Sequence, residues 1–99
     1  MMEEKVTFKG LWPAHFTPVK DDGKVNEREL ERLIGLVIEQ GLDGIYLLGS
    51  TGQGFLYREA ERIRIAEMSL QMAGRRLPVI VQVGALSTDE SVRLARHAE

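Results

Sequence analysis

Along this chain, short unbroken apolar runs alternate with longer stretches in which apolar residues recur every three or four positions. The first run, Leu11-Trp12-Pro13-Ala14-His15-Phe16, reads as a strand whose ladder Pro13 limits on one side. Thr17-Pro18 and Asp21-Asp22-Gly23 then favour extended and turning backbone. Asn26 followed by Glu29 has the spacing of a capping box, Leu30, Leu33, Ile34, Val37 and Ile38 share one helical face, and Gly41 is a natural stop. Together they predict a helix over about residues 27–40. Ile45 to Leu48 is apolar without alternation, as in a parallel strand covered on both faces. A second helix is expected from near Glu59 to the stop at Gly74. Ile63, Ala66, Leu70 and Ala73 mark its face, Ile65 and Met68 widen it, and Arg75 and Arg76 complement its dipole. Pro78 to Val83 is a third, β-branched run, after which Ser87-Thr88-Asp89-Glu90 repeats the capping-box spacing and opens a third helix through Val92, Leu94 and Ala95.

The predicted order is β-α-β-α-β-α, with strands starting near residues 11, 44 and 78 and a period of about 33 residues. An eight-unit barrel of roughly 250 residues needs about 31 per unit, so the period fits. Strands separated by helices call for right-handed crossovers and a parallel sheet, which makes the class α/β. Three strands do not close a barrel, and they leave two edges and an inner face uncovered. Residues 1–99 are therefore expected to be a partial barrel domain, its first three βα units, that belongs to something longer or assembles with a partner.

Composition narrows the partners more than the fold. A formal charge of −2 provides no basic face for nucleic acid and no polybasic segment for a membrane surface. The absence of cysteine excludes disulfides and thiolate metal sites and is compatible with a reducing compartment. The acidic opening Met1-Met2-Glu3-Glu4-Lys5 lacks the apolar segment of a signal peptide, and no run approaches the roughly 20 residues of a membrane span. The expected location is cytoplasmic.

The candidate chemistry sits in Gly49-Ser50-Thr51-Gly52-Gln53-Gly54, between the second strand and the second helix. In parallel α/β sheets, loops at the carboxyl ends of strands are where ligands bind. A phosphate-cradling loop would need a Gly-Lys-Ser/Thr ending, yet no lysine follows Lys24. The dinucleotide fingerprint fails too, because the glycine spacing differs and no acidic residue ends the next strand. That leaves small oxygen donors: Ser50 and Thr51, with backbone N–H groups, could bind a carboxylate or hold a hydroxyl in a proton relay. The plainer reading is that both hydroxyls satisfy turn backbone. His15 is a candidate acid, base or ligand, against the plainer reading of a partly buried histidine satisfied by a backbone group. His97 reads as surface, and the helix Glu and Arg residues read as solvated faces with i,i+4 pairing. No metal-ligand cluster is apparent.

Several separated segments carry a more specific signal. Gly10-Leu11, Ala14, Thr17-Pro18, Asp22-Gly23-Lys24-Val25-Asn26, Gly41-Leu42-Asp43-Gly44-Ile45, Gly49-Ser50-Thr51-Gly52, Glu61-Arg62 and Val83-Gly84-Ala85-Leu86-Ser87, in that order, resemble the N-terminal part of the dihydrodipicolinate synthase and N-acetylneuraminate lyase family. The resemblance implies the front of a (β/α)8 TIM barrel, usually homotetrameric. It also implies a cofactor-free, metal-independent class I aldolase that forms a Schiff base between a lysine and pyruvate or another 2-oxo acid. By the same resemblance Thr51, with neighbouring N–H groups including that of Gly52, holds the 2-oxo acid carboxylate. Ser50 serves both as substrate contact and as part of the catalytic proton relay, and Ala14 lines the pocket.

This chain departs from the family pattern at informative places. The family's lysine and catalytic tyrosine lie on later strands with no match before Glu99, so this chain alone is expected to lack turnover. Gln53 stands where the family usually has glutamate, and His15 is unusual at its position. Arg58 replaces a Ser or Thr helix cap, typically a loss of about 1 kcal/mol. Gly-Ser-Thr-Gly and Val-Gly-Ala-Leu-Ser lean towards the N-acetylneuraminate lyase side. Dihydrodipicolinate synthase and 2-keto-3-deoxy sugar acid aldolase remain alternatives. A non-catalytic carboxylate-binding or assembly module and, more distantly, a flavodoxin-like nucleotide binder are the rivals from other classes.

Overall fold

The computed structural model describes residues 8–99. Its first regular element is a helix, α1 (Glu27–Glu39). The Asn26 side chain accepts the Glu29 N–H at 3.1 Å, as the cap spacing predicts. Glu29 does not complete the box; its carboxylate is taken by Arg32 one turn on, which also holds it below the usual carboxylate range. At the other end Gly41 has φ +73°, and the Gly41 and Leu42 N–H groups reach back to the Ile38 and Val37 carbonyls. This closes a Schellman motif and turns the chain towards the sheet.

The sheet contains β1 (Ile45–Leu47) and β2 (Val79–Val81), parallel, with Tyr46 opposite Ile80. The run expected to form a first strand over residues 11–16 contributes one parallel bridge, Ala14 to Tyr46, instead of a full strand. The reason is Pro13. Its carbonyl accepts the Tyr46 N–H and His15 N–H donates to the Tyr46 carbonyl, but without an N–H of its own Pro13 leaves the ladder a rung short. Asp43 compensates at the strand entrance, its carboxylate accepting the Leu11 N–H at 2.7 Å. The second strand also stops one residue early, at Leu47, because Leu48 turns into the left-handed region with φ +62°.

Two further helices, α2 (Glu59–Ala73) and α3 (Thr88–Ala98), complete the α/β alternation. Ser87 caps α3 by accepting the Glu90 N–H, as its spacing predicts. At α2 the Glu61 carboxylate reaches back to the Arg58 N–H, but the Arg58 guanidinium has no acceptor with which to complete a box. The buried face of α2 is rotated from the expected one. Arg62, Ile65, Ala66, Met68, Ser69 and Ala73 are buried, whereas Leu70 is exposed and Ile63 only half-buried. In α3 only Leu94 is buried, with Val92 and Ala95 exposed.

One core cluster joins Leu30, Ile34 and Val37 of α1 to Ile45, Leu47, Leu48, Ile65, Met68 and Ala73. Each large member contributes about 1.5–3 kcal/mol by leaving water. Polar side chains pair chiefly between helices: Arg64 with Glu27 at 3.0 Å, Arg93 with Glu59 at 2.6 Å, and the His97 ring with the Glu67 carboxylate at 2.9 Å. No i,i+4 ion pair forms among the described residues, as was expected around Glu27, Glu31, Arg28 and Arg32; Arg32 pairs with Glu29 at i,i+3, and the other pairs bridge α1, α2 and α3 at their surfaces. Along β1 the faces separate, Ile45 and Leu47 being buried and Tyr46 half-exposed. Ala14, Tyr46 and Ile80 are register partners and therefore share that more open face.

Candidate functional site

The loop after β1 is built by close packing rather than by side-chain bonds. A Cβ added at Gly54 would lie 2.0 Å from the Leu48 carbonyl oxygen, and one at Gly52 would lie 2.9 Å from both the His15 carbonyl oxygen and the Leu48 nitrogen. At Gly49 a Cβ would meet a side chain instead, the Tyr46 ring at 2.3 Å. These glycines let residues 49–54 fold directly onto the end of the strand. The turn satisfies itself with backbone bonds, Gln53 N–H to the Ser50 carbonyl at 3.1 Å and Gly54 N–H to the Gly49 carbonyl at 3.2 Å. Gln53 adopts the left-handed φ of +56° that this turn requires.

The backbone leaves the candidate donors unused. Ser50 and Thr51 are exposed, and among the described residues neither hydroxyl makes a hydrogen bond. The plainer reading, in which they satisfy the turn, is not what the chain does. The N–H groups of residues 49–52 likewise donate to no described acceptor. Among the described residues, these N–H groups and the two hydroxyls are hydrogen-bond donors left over by the fold, the chemistry a carboxylate takes through charge-assisted bonds.

The first segment flanks this loop. Ala14 is exposed on the open sheet face, while His15 points the other way and is 5 % exposed. Burial lowers the His15 pKa, and its Nε2 has no partner among the described residues. The expectation of a backbone-satisfied histidine therefore fails for Nε2. Thr17 donates its hydroxyl to the Gly52 carbonyl at 2.7 Å.

Arg62 overturns the solvated-face reading most clearly. It is 2 % exposed, and its guanidinium donates to the Gly84 carbonyl at 2.7 Å and the Gln82 carbonyl at 2.5 Å. Thereby α2 is fastened to the segment leaving β2. Beside it an open cavity of ≈ 560 Å3 lies among the starts of α2 and α3, with Phe55, Tyr57, Glu59, Leu86 and Glu90 in its lining. Burial, then the charge of Glu61, raises the Tyr57 pKa. Phe55 and Leu86, both in its lining, and the neighbouring Leu56 are exposed apolar side chains. Periodicity gives no sign of Tyr46 and Thr17 as neighbours of the loop or of Arg62 as the tie between α2 and the segment after β2; the hint in the sequence is the place of Arg62 and Thr17 within the family-like segments.

Comparison with known proteins bears on the whole of this arrangement. The model of the Dihydrodipicolinate synthetase family matches residues 7–99. The chain is 39 % identical over 90 residues to N-acetylneuraminate lyase of Citrobacter koseri, covering 91 % of this chain and 30 % of that protein. It is 37 % identical over 92 residues to 4-hydroxy-tetrahydrodipicolinate synthase of Acidiphilium cryptum, covering 93 % of this chain and 32 % of the relative. Among solved structures, a prophage protein of the dihydrodipicolinic acid synthase family from Escherichia coli, in complex with pyruvate, superimposes with a TM-score of 0.91 at 31 % identity. That match covers 94 % of this chain and 31 % of the other. Dihydrodipicolinate synthase from Aquifex aeolicus gives 0.88 at 33 % identity, covering 92 % and 31 %. The chain thus spans about a third of the length of the relatives it matches, over nearly all of its own residues and in the order its motifs suggested. It belongs to the dihydrodipicolinate synthetase family.

Proposed function

We propose that this chain forms the carboxylate-holding portion of the site in a Schiff-base-forming, pyruvate-dependent aldolase, a carbon–carbon lyase or synthase acting on 2-oxo acids. The observation that carries the proposal is the set of N–H groups at residues 49–52 that, with the Ser50 and Thr51 hydroxyls, have no partner among the described residues and lie at the carboxyl end of a parallel strand. Pyruvate complexes among the family's solved structures supply the ligand class. In this reading Thr51 and the N–H groups around Gly52 hold the carboxylate. Ala14, small and on the open face, leaves room for the 2-oxo carbon, and Ser50 carries a proton to or from the reacting oxygen. Anchoring one end of a three-carbon acid in this way fixes where its ketone lies, which is the entropic part of catalysis. The lysine that would attack that ketone belongs to later strands of a closed (β/α)8 barrel, so residues 1–99 alone bind without turning over. Within the family the reading leans towards N-acetylneuraminate lyase, with dihydrodipicolinate synthase or a 2-keto-3-deoxy sugar acid aldolase as the alternatives.

The test combines trapping with binding. Borohydride reduction in the presence of pyruvate leaves the mass of the 99-residue chain unchanged, and pyruvate shifts the amide resonances of Ser50, Thr51 and Gly52. Covalent trapping on residues 1–99 would overturn the assignment of the lysine to later strands. Amide resonances that ignore pyruvate would overturn the carboxylate site itself. The exposed Phe55, Leu56 and Leu86 favour a second reading, a module that assembles through this surface. Sedimentation as a discrete dimer supports it, and a well-folded monomer counts against it.

A further inference from the structure

We infer that Thr17 is the positioning residue of the 49–54 loop, an inference that rests on the carboxylate reading for its consequence but on geometry for its substance. Among the described residues, the loop makes hydrogen bonds only within itself and to its immediate continuation, with one exception. That exception is the Thr17 hydroxyl, which reaches the Gly52 carbonyl at 2.7 Å from 35 positions away. The peptide joining Gly52 to Gln53 is consequently clamped at both ends, its oxygen by Thr17 and its N–H by the Ser50 carbonyl at 3.1 Å. A peptide held at both ends cannot rotate. Rotation would break both bonds and let the segment at Ser50 to Gly52 lift, which would scatter the donors at residues 49–52.

The surroundings explain why a clamp is needed. Leu48, at the root of the loop, sits at φ +62°, a conformation that disfavours a branched side chain and relaxes unless neighbours hold it. Gly52 is seated on the backbone of His15 and Leu48 so closely that even a methyl group there would collide. Packing of this kind keeps the loop from moving inward but does not keep it from lifting away. Thr17 supplies that restraint, and its own placement is secured because Pro18, the next residue, accepts the Asn26 N–H at the start of α1. The line from the α1 cap through Thr17 to Gly52 ties the loop to the most regular part of the fold.

Thr17→Val keeps the shape and removes the donor, and Thr17→Ser keeps the donor. Native-state hydrogen exchange at the Gln53 and Gly54 amides is expected to quicken about tenfold in Thr17→Val, the worth of one such bond, while α1 amides keep their wild-type rates. In Thr17→Ser the loop amides return to within about twofold of wild type. Pyruvate titration followed at Ser50 to Gly52 weakens in parallel, by about tenfold in Thr17→Val, and recovers in Thr17→Ser. Unchanged exchange at Gln53 and Gly54 in Thr17→Val overturns the clamp whatever pyruvate does. Equal quickening in α1, or no recovery in Thr17→Ser, overturns it as well by showing general loosening. Wild-type amides that ignore pyruvate while the exchange pattern holds would strike down the carboxylate reading and leave the clamp standing.

Discussion

Adding one methyl group should have opposite effects at two glycines of this chain. At Gly54 a Cβ would sit 2.0 Å from the Leu48 carbonyl oxygen, 2.8 Å from its carbon and 3.0 Å from the Leu48 Cβ. Backbone must move by more than an ångström to restore contact distance, and Leu48, already at φ +62° and buried, has nowhere unstrained to go. Overpacking of this kind costs about 1–3 kcal/mol. Gly35, inside α1, has nothing within 4 Å of the added methyl, so Gly35→Ala only removes the entropic cost of a helical glycine and stabilises by about 0.5–1 kcal/mol. In a chain of this size each kcal/mol moves the midpoint by about 4–8 °C, so Gly54→Ala melts roughly 4–24 °C below wild type and Gly35→Ala roughly 2–8 °C above it. Thermal unfolding followed by circular dichroism, with urea titration to confirm an unchanged m-value, reads both. A Gly54→Ala protein as stable as wild type would refute the claim that the loop is seated against Leu48. A Gly35→Ala protein that loses stability would refute the assignment of that position to an open helical surface.

Arg62→Met retains much of the stem's packing but removes both bonds to the Gln82 and Gly84 carbonyls. Because Gly84 is exposed and its carbonyl recovers water, the expected loss is about 1.5–3 kcal/mol rather than the sum of two charge-assisted bonds, measured as a lower urea midpoint. A neutral result would mean that the guanidinium's desolvation already cancels its bonds. His15 gives the pH dependence: burial lowers its pKa from 6.5, so the unfolded chain takes up the proton first. Its contribution is complete above pH 6.5 and is lost as pH falls towards the folded value; the difference in stability between wild type and His15→Gln should therefore shift across that window, and a pH-independent difference sinks the assignment.

The helix boundaries were legible because their determinants are local. Asn26, Gly41, Gly74 and Ser87 act on backbone within a turn of themselves, and each stands where its chemistry predicts a start or stop. Strand ends are less legible: Pro13 marks a limited ladder in the sequence, but that the run shrinks to a single bridge depends on its partner, and Leu48 looks apolar and extended until its φ is known. The buried face of α2 departs from its apolar periodicity for a related reason. Arg62 and Ser69 are polar in any pattern, and what buries Arg62 is a pair of carbonyls 20 and 22 residues away.

The candidate site divides along the same line. That a glycine loop bearing Ser50 and Thr51 lies between a strand and a helix follows from residue order, and family membership was carried by motifs spread over the chain. Whether those hydroxyls are consumed by the turn was undecidable from sequence, because the answer depends on where the turn finds its other partners. Backbone carbonyls at Gly49 and Ser50 close the turn, and Thr17 holds Gly52 from outside it. Among the described residues the donors at 49–52 have no partner because other groups do the folding. A loop stabilised by its own hydroxyls would have to break those bonds to take a carboxylate, whereas this one is already arranged to donate.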